Sequence, residues 1–552
     1  MSHSQANRWL ALVFAVVAVA TLAAWQIVER NAIFDDALIS FRYARNLAAG
    51  DGLVWNRGEP PVEGYTNFLL VAALAPTLRV GLDPLWTTRL WSLLAAGALA
   101  GMIGSQASRV GADRATAVLT GTGFLLMSRT AELATVGLET VIFTALLLAT
   151  FLAGRKAIAD LEPRQGLATA ALGLLAVLTR PEALLLVALL GLELIGRVRQ
   201  RRQGSGRTLR VTIAAFALPL GAYLAWKLAY FSSLVPNAFF VKAGSRGWIS
   251  DRGVESVVGF ASDHRLLLLL AALSVLAPGR GRLGGRRTAA WLIALWALFY
   301  LRIDTLMDVH GRFLYPLTPF AFYLALPVLV PLLRRLGSWS AGSAARTAFA
   351  ALVLALLLPL EPLRAARAVA DATRGVDRFA EESQAIAKDE LSVAAALKGY
   401  PEIRSVTIAW GNAGVIPWVT DALFVDMVGL NDAFLARNHD LDARVDYFFS
   451  RRADLVILPT DSDGNWFGGH SDLGARLGEW QSDRRWDDYR YVGTLRTARQ
   501  RDHHYYLRVD SPHAEELSRR LLDGALTVSR ESRPPALGSA AGDRRPELPG
   551  PS

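Results

Sequence analysis

Apolar runs of roughly 15 to 24 residues recur through the first two-thirds of the chain, and nearly every gap between them is short and carries arginine. A helix rising 1.5 Å per residue needs about 20 such residues to cross the hydrocarbon of a bilayer. The first run, residues 9–28 (WLALVFAVVAVATLAAWQIV), meets that length; it is longer than a signal-peptide core and has no convincing cleavage site after Ala24, so it reads as a first transmembrane helix. Further runs lie near 86–106, 115–129, 137–154, 166–179, 181–196, 208–231, 264–278, 288–303, 313–333 and 345–361. With 52% hydrophobic residues, the chain is too apolar for a soluble protein of 552 residues.

The gaps decide how the runs are threaded. If residues 66–80 lie along the surface or re-enter instead of spanning, the clusters Arg109/Arg114, Arg155/Lys156/Arg164, Arg197 to Arg210, Arg280 to Arg287 and Arg334/Arg335/Arg346 all fall on one side. That is the positive-inside pattern, and it predicts eleven spans with a cytoplasmic N-terminus. The same clustering accounts for the net charge of +10 without nucleic acid, which is not expected as a partner. There is no cysteine, hence no disulfide, thiol nucleophile or cysteine-bound zinc.

This threading gathers the chemically capable groups on the opposite, outer side. Behind the first run lies a loop, 29–85, that opens with Asp35 and Asp36 and continues into a short amphipathic segment bearing Arg42 and Tyr43. An aromatic, turn-rich stretch follows through Trp55, Glu63, Tyr65 and Asn67. Asp at a helix start also serves as a cap, and one of the pair can do that. A carboxylate at a half-buried interface can instead take a proton from a sugar hydroxyl while its neighbour orients substrate or holds a divalent cation. Lys242, Arg302, His310 and Arg312 sit at membrane-proximal outer positions, where they can bind the phosphate of a lipid carrier or simply snorkel. Arg42, Tyr43, Glu63, Tyr65, Asn67, Glu139 and Asn237 are the candidate contacts to sugar or acceptor, and interfacial aromatics are equally ordinary belt residues. Phosphate loops, nucleophile elbows and zinc spacings are missing from the sequence, so an activated lipid is the natural substrate.

After 364 the texture changes. Residues 376–399 read as an amphipathic helix, and short β-branched or aromatic runs follow at Ser405–Trp410, Ala422–Val428, Asp454–Leu458 and His503–Val509. Residues 365–528 therefore form an expected extracytoplasmic α/β domain, a place to hold an acceptor, and 529–552 read as a disordered tail.

The block Phe34-Asp35-Asp36-Ala37-Leu38-Ile39-Ser40-Phe41-Arg42-Tyr43-Ala44-Arg45-Asn46-Leu47, with Gly50 to Asn56 and Val62 to Asn67, resembles the polyprenyl-phosphate-dependent GT-C glycosyltransferases, most of all the AftB-like terminal arabinofuranosyltransferases. Gly137 to Thr140, Val235 to Lys242, Gly311 to Pro316 and Asp426 to Asp432 extend the similarity. The resemblance implies a GT-C-like polytopic α-helical membrane protein with a C-terminal soluble α/β domain. It implies a lipid monophosphate sugar donor, an envelope-glycan acceptor and inverting transfer by direct displacement. Asp35 and Asp36 match its acidic motif, and either can be the base. Two rival readings are a non-enzymatic flippase for lipid-linked sugars, which would need charges near the bilayer midplane, and a scaffold acting through the soluble domain.

Overall fold

The computed structural model describes residues 33–337 and 390–526, apart from 126, 202–205, 244–248, 277–282, 306, 462–464, 467–471, 480–482 and 497–501, together with the helical positions 16, 22 and 26. The rest of the first expected span, the expected span at 345–361, the first part of the helix expected over 376–399 and the tail beyond 528 lie outside the described residues. The chain divides into two compact units, 1–384 and 385–552.

In the first unit the helices run α1 (Asp35–Ala49), α2 (Phe68–Arg79), α3 (Pro84–Arg109), α4 (Arg114–Leu125), α5 (Ser128–Thr135), α6 (Thr140–Asp160), α7 (Pro163–Thr179), α8 (Leu184–Gln200), α9 (Gly206–Phe231), α10 (Asn237–Ala243), α11 (Asp251–Asp263), α12 (Arg265–Leu276), α13 (Arg286–Arg302) and α14 (Thr318–Gly337). Among the described residues, four helices are long and apolar enough to cross a membrane: Pro84–Arg109, Thr140–Asp160, Gly206–Phe231 and Tyr315–Arg334. The pair α11–α12 qualifies as a fifth only if its 80° bend lies within one span. Every described segment expected to span is helical, yet length and composition do not yield eleven spans. The reason is local: α7, α8 and α13 have 17 residues each, the lower limit for a span, and α4 has 12. Residues 66–80, expected to lie along the surface or re-enter, contain the short apolar helix α2, Phe68–Arg79.

Burial separates the spans by role. The window in Tyr315–Arg334 is 83% buried and that in Gly206–Phe231 only 6%, so α14 is the hub of the bundle and α9 lies at its rim. An apolar rim helix presents its surface to lipid, whereas the hub is apolar all round because protein surrounds it. Phe320, Phe322, Phe151 and Trp296 fill the core around α14. Small residues let α3 and α4 approach closely: a Cβ on Gly121 would fall 2.4 Å from the Ala100 carbonyl oxygen, and one on Gly104 2.8 Å from that of Ala117.

The helix ends follow their sequences. α1 begins at the two aspartates, favourable beside the positive end of its dipole. It stops at Gly50, whose φ of 93° allows the left-handed turn that returns Asp51 N–H to the Asn46 carbonyl at 3.0 Å. α3 starts at Pro84 behind Asp83, whose carboxylate accepts from Trp86 N–H at 2.9 Å. Phe34 N–H donates to the Val136 carbonyl at 3.2 Å, which ties the entry of α1 to the turn between α5 and α6.

The second unit holds a five-stranded sheet ordered β2-β1-β3-β5-β4, formed by β1 (Thr407–Trp410), β2 (Leu423–Asp426), β3 (Leu455–Thr460), β4 (Tyr489–Arg496) and β5 (Asp502–Arg508). β1 pairs in parallel with β2 and β3, and β5 pairs antiparallel with β3 and β4. Helix 390–398 continues the segment expected over 376–399. β4 was not expected: it is an edge strand, partly exposed and irregular between Tyr491 and Gly493, so it lacks the apolar run that marks the fully buried β3.

The Asp426 to Asp432 block closes the end of β2. The buried Asp426 carboxylate accepts from Val428 N–H (3.0 Å), Gly429 N–H (3.2 Å), Asn431 N–H (2.9 Å) and Asn431 Nδ2 (2.9 Å). Removing the carboxylate strands those buried donors. Asp426→Ala is expected to destabilise this unit by about 3 kcal/mol or more; limited proteolysis of the full chain should then cut within 390–526 at lower protease concentration than in the wild type.

Candidate functional site

The site is assembled from segments far apart in the chain. Asp36, in the first turn of α1, accepts from Arg312 Nη2 at 2.5 Å across 276 residues. Arg312 is buried, its Nε has no hydrogen-bond partner among the described residues, and its guanidinium lies 4.9 Å from the ring centres of both Phe34 and Phe313. Lys242, in α10, holds its ammonium 4.7 Å from the centre of the Phe313 ring, and Arg180 lies 5.2 Å from it. Three cations therefore surround one aromatic ring, each attracted by its π face. Arg180 is neutralised by Glu139 (3.3 Å) and Glu182 (3.0 Å). Lys242 has no ion-pair partner among the described residues. Burial, with the Arg312 charge adding to it, brings its ammonium down to about 8. Lys242 feels the charges of Asp36 and Glu182, and Arg312 pairs with Asp36, so two cationic donors converge on one ring beside the acidic turn of α1. Asp35 is half-buried on the same helical turn.

A buried polar network supports this cluster. Ser40 Oγ donates to Asn67 Oδ1 (3.0 Å), Asn67 Nδ2 to Glu139 Oε2 (2.7 Å), and Arg180 connects Glu139 to Glu182, which also accepts from Tyr300 OH at 2.6 Å. Asn67 and Glu139, read from the sequence as substrate contacts, therefore hold α1, α6 and α7 in register.

Other candidates take different places. Arg42 donates from Nε to the Trp55 carbonyl (2.9 Å) and from Nη2 to Asn56 Oδ1 (3.1 Å), so it braces the loop after α1. Tyr43 OH donates to the Val62 carbonyl (2.8 Å), and its ring meets Tyr65 edge-on at 4.7 Å. Arg302 is exposed at the end of α13. His310 turns to Glu132, with Nδ1 and Oε2 3.0 Å apart. Glu63 meets Lys227 of α9 at 2.8 Å, and its carbonyl accepts from Asn237 N–H at 3.0 Å. Tyr65 OH and Asn237 Nδ2 are buried without a partner among the described residues.

Sequence reading passed over Arg89 and Lys227. Each is a buried charge inside an apolar run, which is itself the sign of a specific partner. Arg89 Nε donates to the Thr135 carbonyl (2.8 Å) at the end of α5; Lys227 holds Glu63. Among the described residues no three His, Asp or Glu side chains converge to hold a metal. The Asp36 carboxylate is engaged by Arg312, so the arrangement requires no cation at that atom.

Burial lifts the Glu63 carboxyl to about 7, with the Lys227 charge opposing the rise. A carboxyl raised in the folded state favours the protonated fold. Its contribution is fully present below about 4.5 and is lost as pH climbs to about 7. Hydrogen exchange of residues 50–67, corrected for intrinsic rates, should show protection falling by up to about tenfold per pH unit across that window. Glu63→Gln should flatten the slope.

Comparisons with known proteins agree with this architecture. Residues 381–508 match a family described as a domain of unknown function, DUF8728. The terminal beta-(1->2)-arabinofuranosyltransferase of Corynebacterium glutamicum is 30% identical over 353 residues, 56% of this chain and 49% of that protein. The enzyme of the same name from Mycobacterium tuberculosis is 29% identical over 385 residues, 60% of this chain and 59% of that protein. The chain thus spans about half to three-fifths of the length of the curated relatives it matches. The crystal structure of ArnT from Cupriavidus metallidurans bound to undecaprenyl phosphate superposes with a TM-score of 0.56 at 14% identity, covering 91% of this chain and 98% of that one. Its apo form gives 0.53 over the same shares. The chain is a sequence relative of the terminal arabinofuranosyltransferases, and it is a multi-pass membrane protein with the GT-C fold.

Proposed function

We propose that this protein is a membrane glycosyltransferase that moves a sugar from a polyprenyl monophosphate to a hydroxyl of a cell-envelope glycan, with arabinofuranose as the first donor to test. The observation that carries this reading is the convergence of Lys242 and Arg312 on Phe313, with Arg312 held on Asp36. The names of the sequence relatives, and the undecaprenyl phosphate named for the ArnT structure, support the choice of donor.

In this reading the donor phosphate enters between Lys242 and Arg312 and draws Arg312 away from Asp36. The acceptor hydroxyl attacks the anomeric carbon from the face opposite the phosphate, and its proton passes to Asp36 or Asp35. As the new glycosidic bond forms, the bond from the anomeric carbon to the phosphate oxygen breaks, and configuration inverts. Polyprenyl phosphate leaves with its developing charge held by the two cations. The site lies on the outer side of the cytoplasmic membrane, in a bundle of about eleven spans with the N-terminus inside, following the arginine pattern.

The test is incubation of purified protein with a panel of polyprenyl-phosphate sugars and a glycan acceptor, following both free lipid phosphate and the extended glycan. Asp36→Asn is expected to lower turnover by about a hundredfold or more, as loss of a positioned base does; unchanged rates for Asp35→Asn, Asp36→Asn and the double variant would remove the base assignment. Arg312→Ala should cost about a hundredfold in kcat/KM for the donor. Because Lys242 is charged below about 8 and neutral above, donor KM should rise as pH passes that value, and Lys242→Arg, which stays charged, should abolish the rise.

A further inference from the structure

Next to the cation cluster along the chain lies a polar cavity of about 480 Å³ walled by α11, by Thr305, Met307, Asp308, His310 and Gly311, and by the start of α5. Its size falls within the range of small-ligand clefts. Its charges are arranged differently from those around Phe313. Arg129 is paired with Asp263 at 2.9 Å and Arg252 with Asp304 at 3.1 Å, while Asp308 accepts from Ser256 Oγ (2.5 Å) and Phe313 N–H (3.1 Å). Both arginines are paired and the carboxylates of Glu255 and Asp308 add negative charge, so the cavity repels a phosphate. It does offer carboxylate, hydroxyl and guanidinium groups together with the rings of Phe260 and Tyr315. Polar groups set around aromatic faces suit an uncharged polyol, whose hydroxyls need hydrogen bonds and whose C–H faces need apolar cover.

The wall nearest the cation cluster along the chain is held in an uncommon conformation. Met307 and His310 are non-glycine residues at φ 63° and 58°. Such backbone costs about 1–3 kcal/mol per residue and persists only where its surroundings enforce it; the contact of His310 with Glu132 is part of that enforcement. From Asp308, in the cavity wall, to Arg312, on Asp36, is four residues, at most about 14 Å of chain.

We propose that this cavity is the subsite for the acceptor: it binds an uncharged, polyhydroxylated saccharide chain whose end reaches Asp36. Its catalytic meaning rests on the transferase reading above, whereas the binding itself does not. Gly259 lines the cavity at an exposed position of α11, and a Cβ built there meets no atom within 4 Å. Gly259→Trp can therefore fill the mouth without displacing the fold.

The experiment titrates an arabinofuranosyl tetrasaccharide against the full chain in nanodiscs, by calorimetry, with wild type, Gly259→Trp and Glu255→Ala, and runs a galacturonate tetrasaccharide in parallel. The neutral tetrasaccharide should bind wild type, at least tenfold more weakly to Gly259→Trp and severalfold more weakly to Glu255→Ala; the uronate should bind poorly throughout. Release of polyprenyl phosphate from donor alone should be equal in wild type and Gly259→Trp. No binding to wild type at millimolar tetrasaccharide, or wild-type affinity in Gly259→Trp, would overturn the subsite. If Gly259→Trp loses binding while wild type transfers no sugar, the subsite stands and the transferase reading falls. If transfer proceeds with unchanged acceptor KM in Gly259→Trp, the reverse holds.

Discussion

Two cations, Lys242 and Arg312, are held within 5 Å of one ring, and Arg312 is fastened to the carboxylate of Asp36. Lys242 and Arg312 repel each other in a medium where charges are poorly screened. The arrangement persists because Asp36 supplies one negative charge and Phe313 and Phe34 supply π faces. With Glu139 and Glu182 on the neighbouring Arg180, three carboxylates stand against the three cations around the ring.

The rest of the bundle keeps those charges in place. Glu139, Asn67, Arg180, Glu182 and Tyr300 form one buried network that anchors α1 to α6, α7 and α13. Removing one member of such a network leaves the others buried without partners, so it responds as a unit. The loop after α1 is held independently. Arg42 closes it on itself, Glu63 fastens it to Lys227, and the Leu53 amide donates to Tyr230 OH on α9 at 2.9 Å. The acidic turn of α1 is thereby fixed from both sides.

The acidic block and the outer cations were legible as types, but their positions were only partly so. Lys242 and Arg312 do converge near Asp36; His310, equally basic and equally near a helix end in the chain, turns to Glu132, and Arg302 is exposed. Tyr43 and Arg42 looked like substrate contacts because aromatic and cationic groups stood together, and that same pairing also builds a rigid loop. Arg89 and Lys227 went unread because a single charge barely alters the hydropathy of a long run. In the second unit the edge strand β4 escaped for the opposite reason: half of it faces solvent, so its side chains carry no apolar signature.

The order of residues alone determined that the chain enters a membrane, that an acidic segment follows its first apolar run, and that an α/β unit follows the bundle. These are local properties, set by hydrophobic length, periodicity and turn chemistry over stretches of ten to twenty residues. Tertiary structure alone decided that Arg312 meets Asp36 across 276 residues, that His310 faces Glu132 instead, and that a polar cavity adjoins the segment carrying them. Those outcomes depend on how helices pack, and packing places side chains by shape and distance that no local pattern encodes.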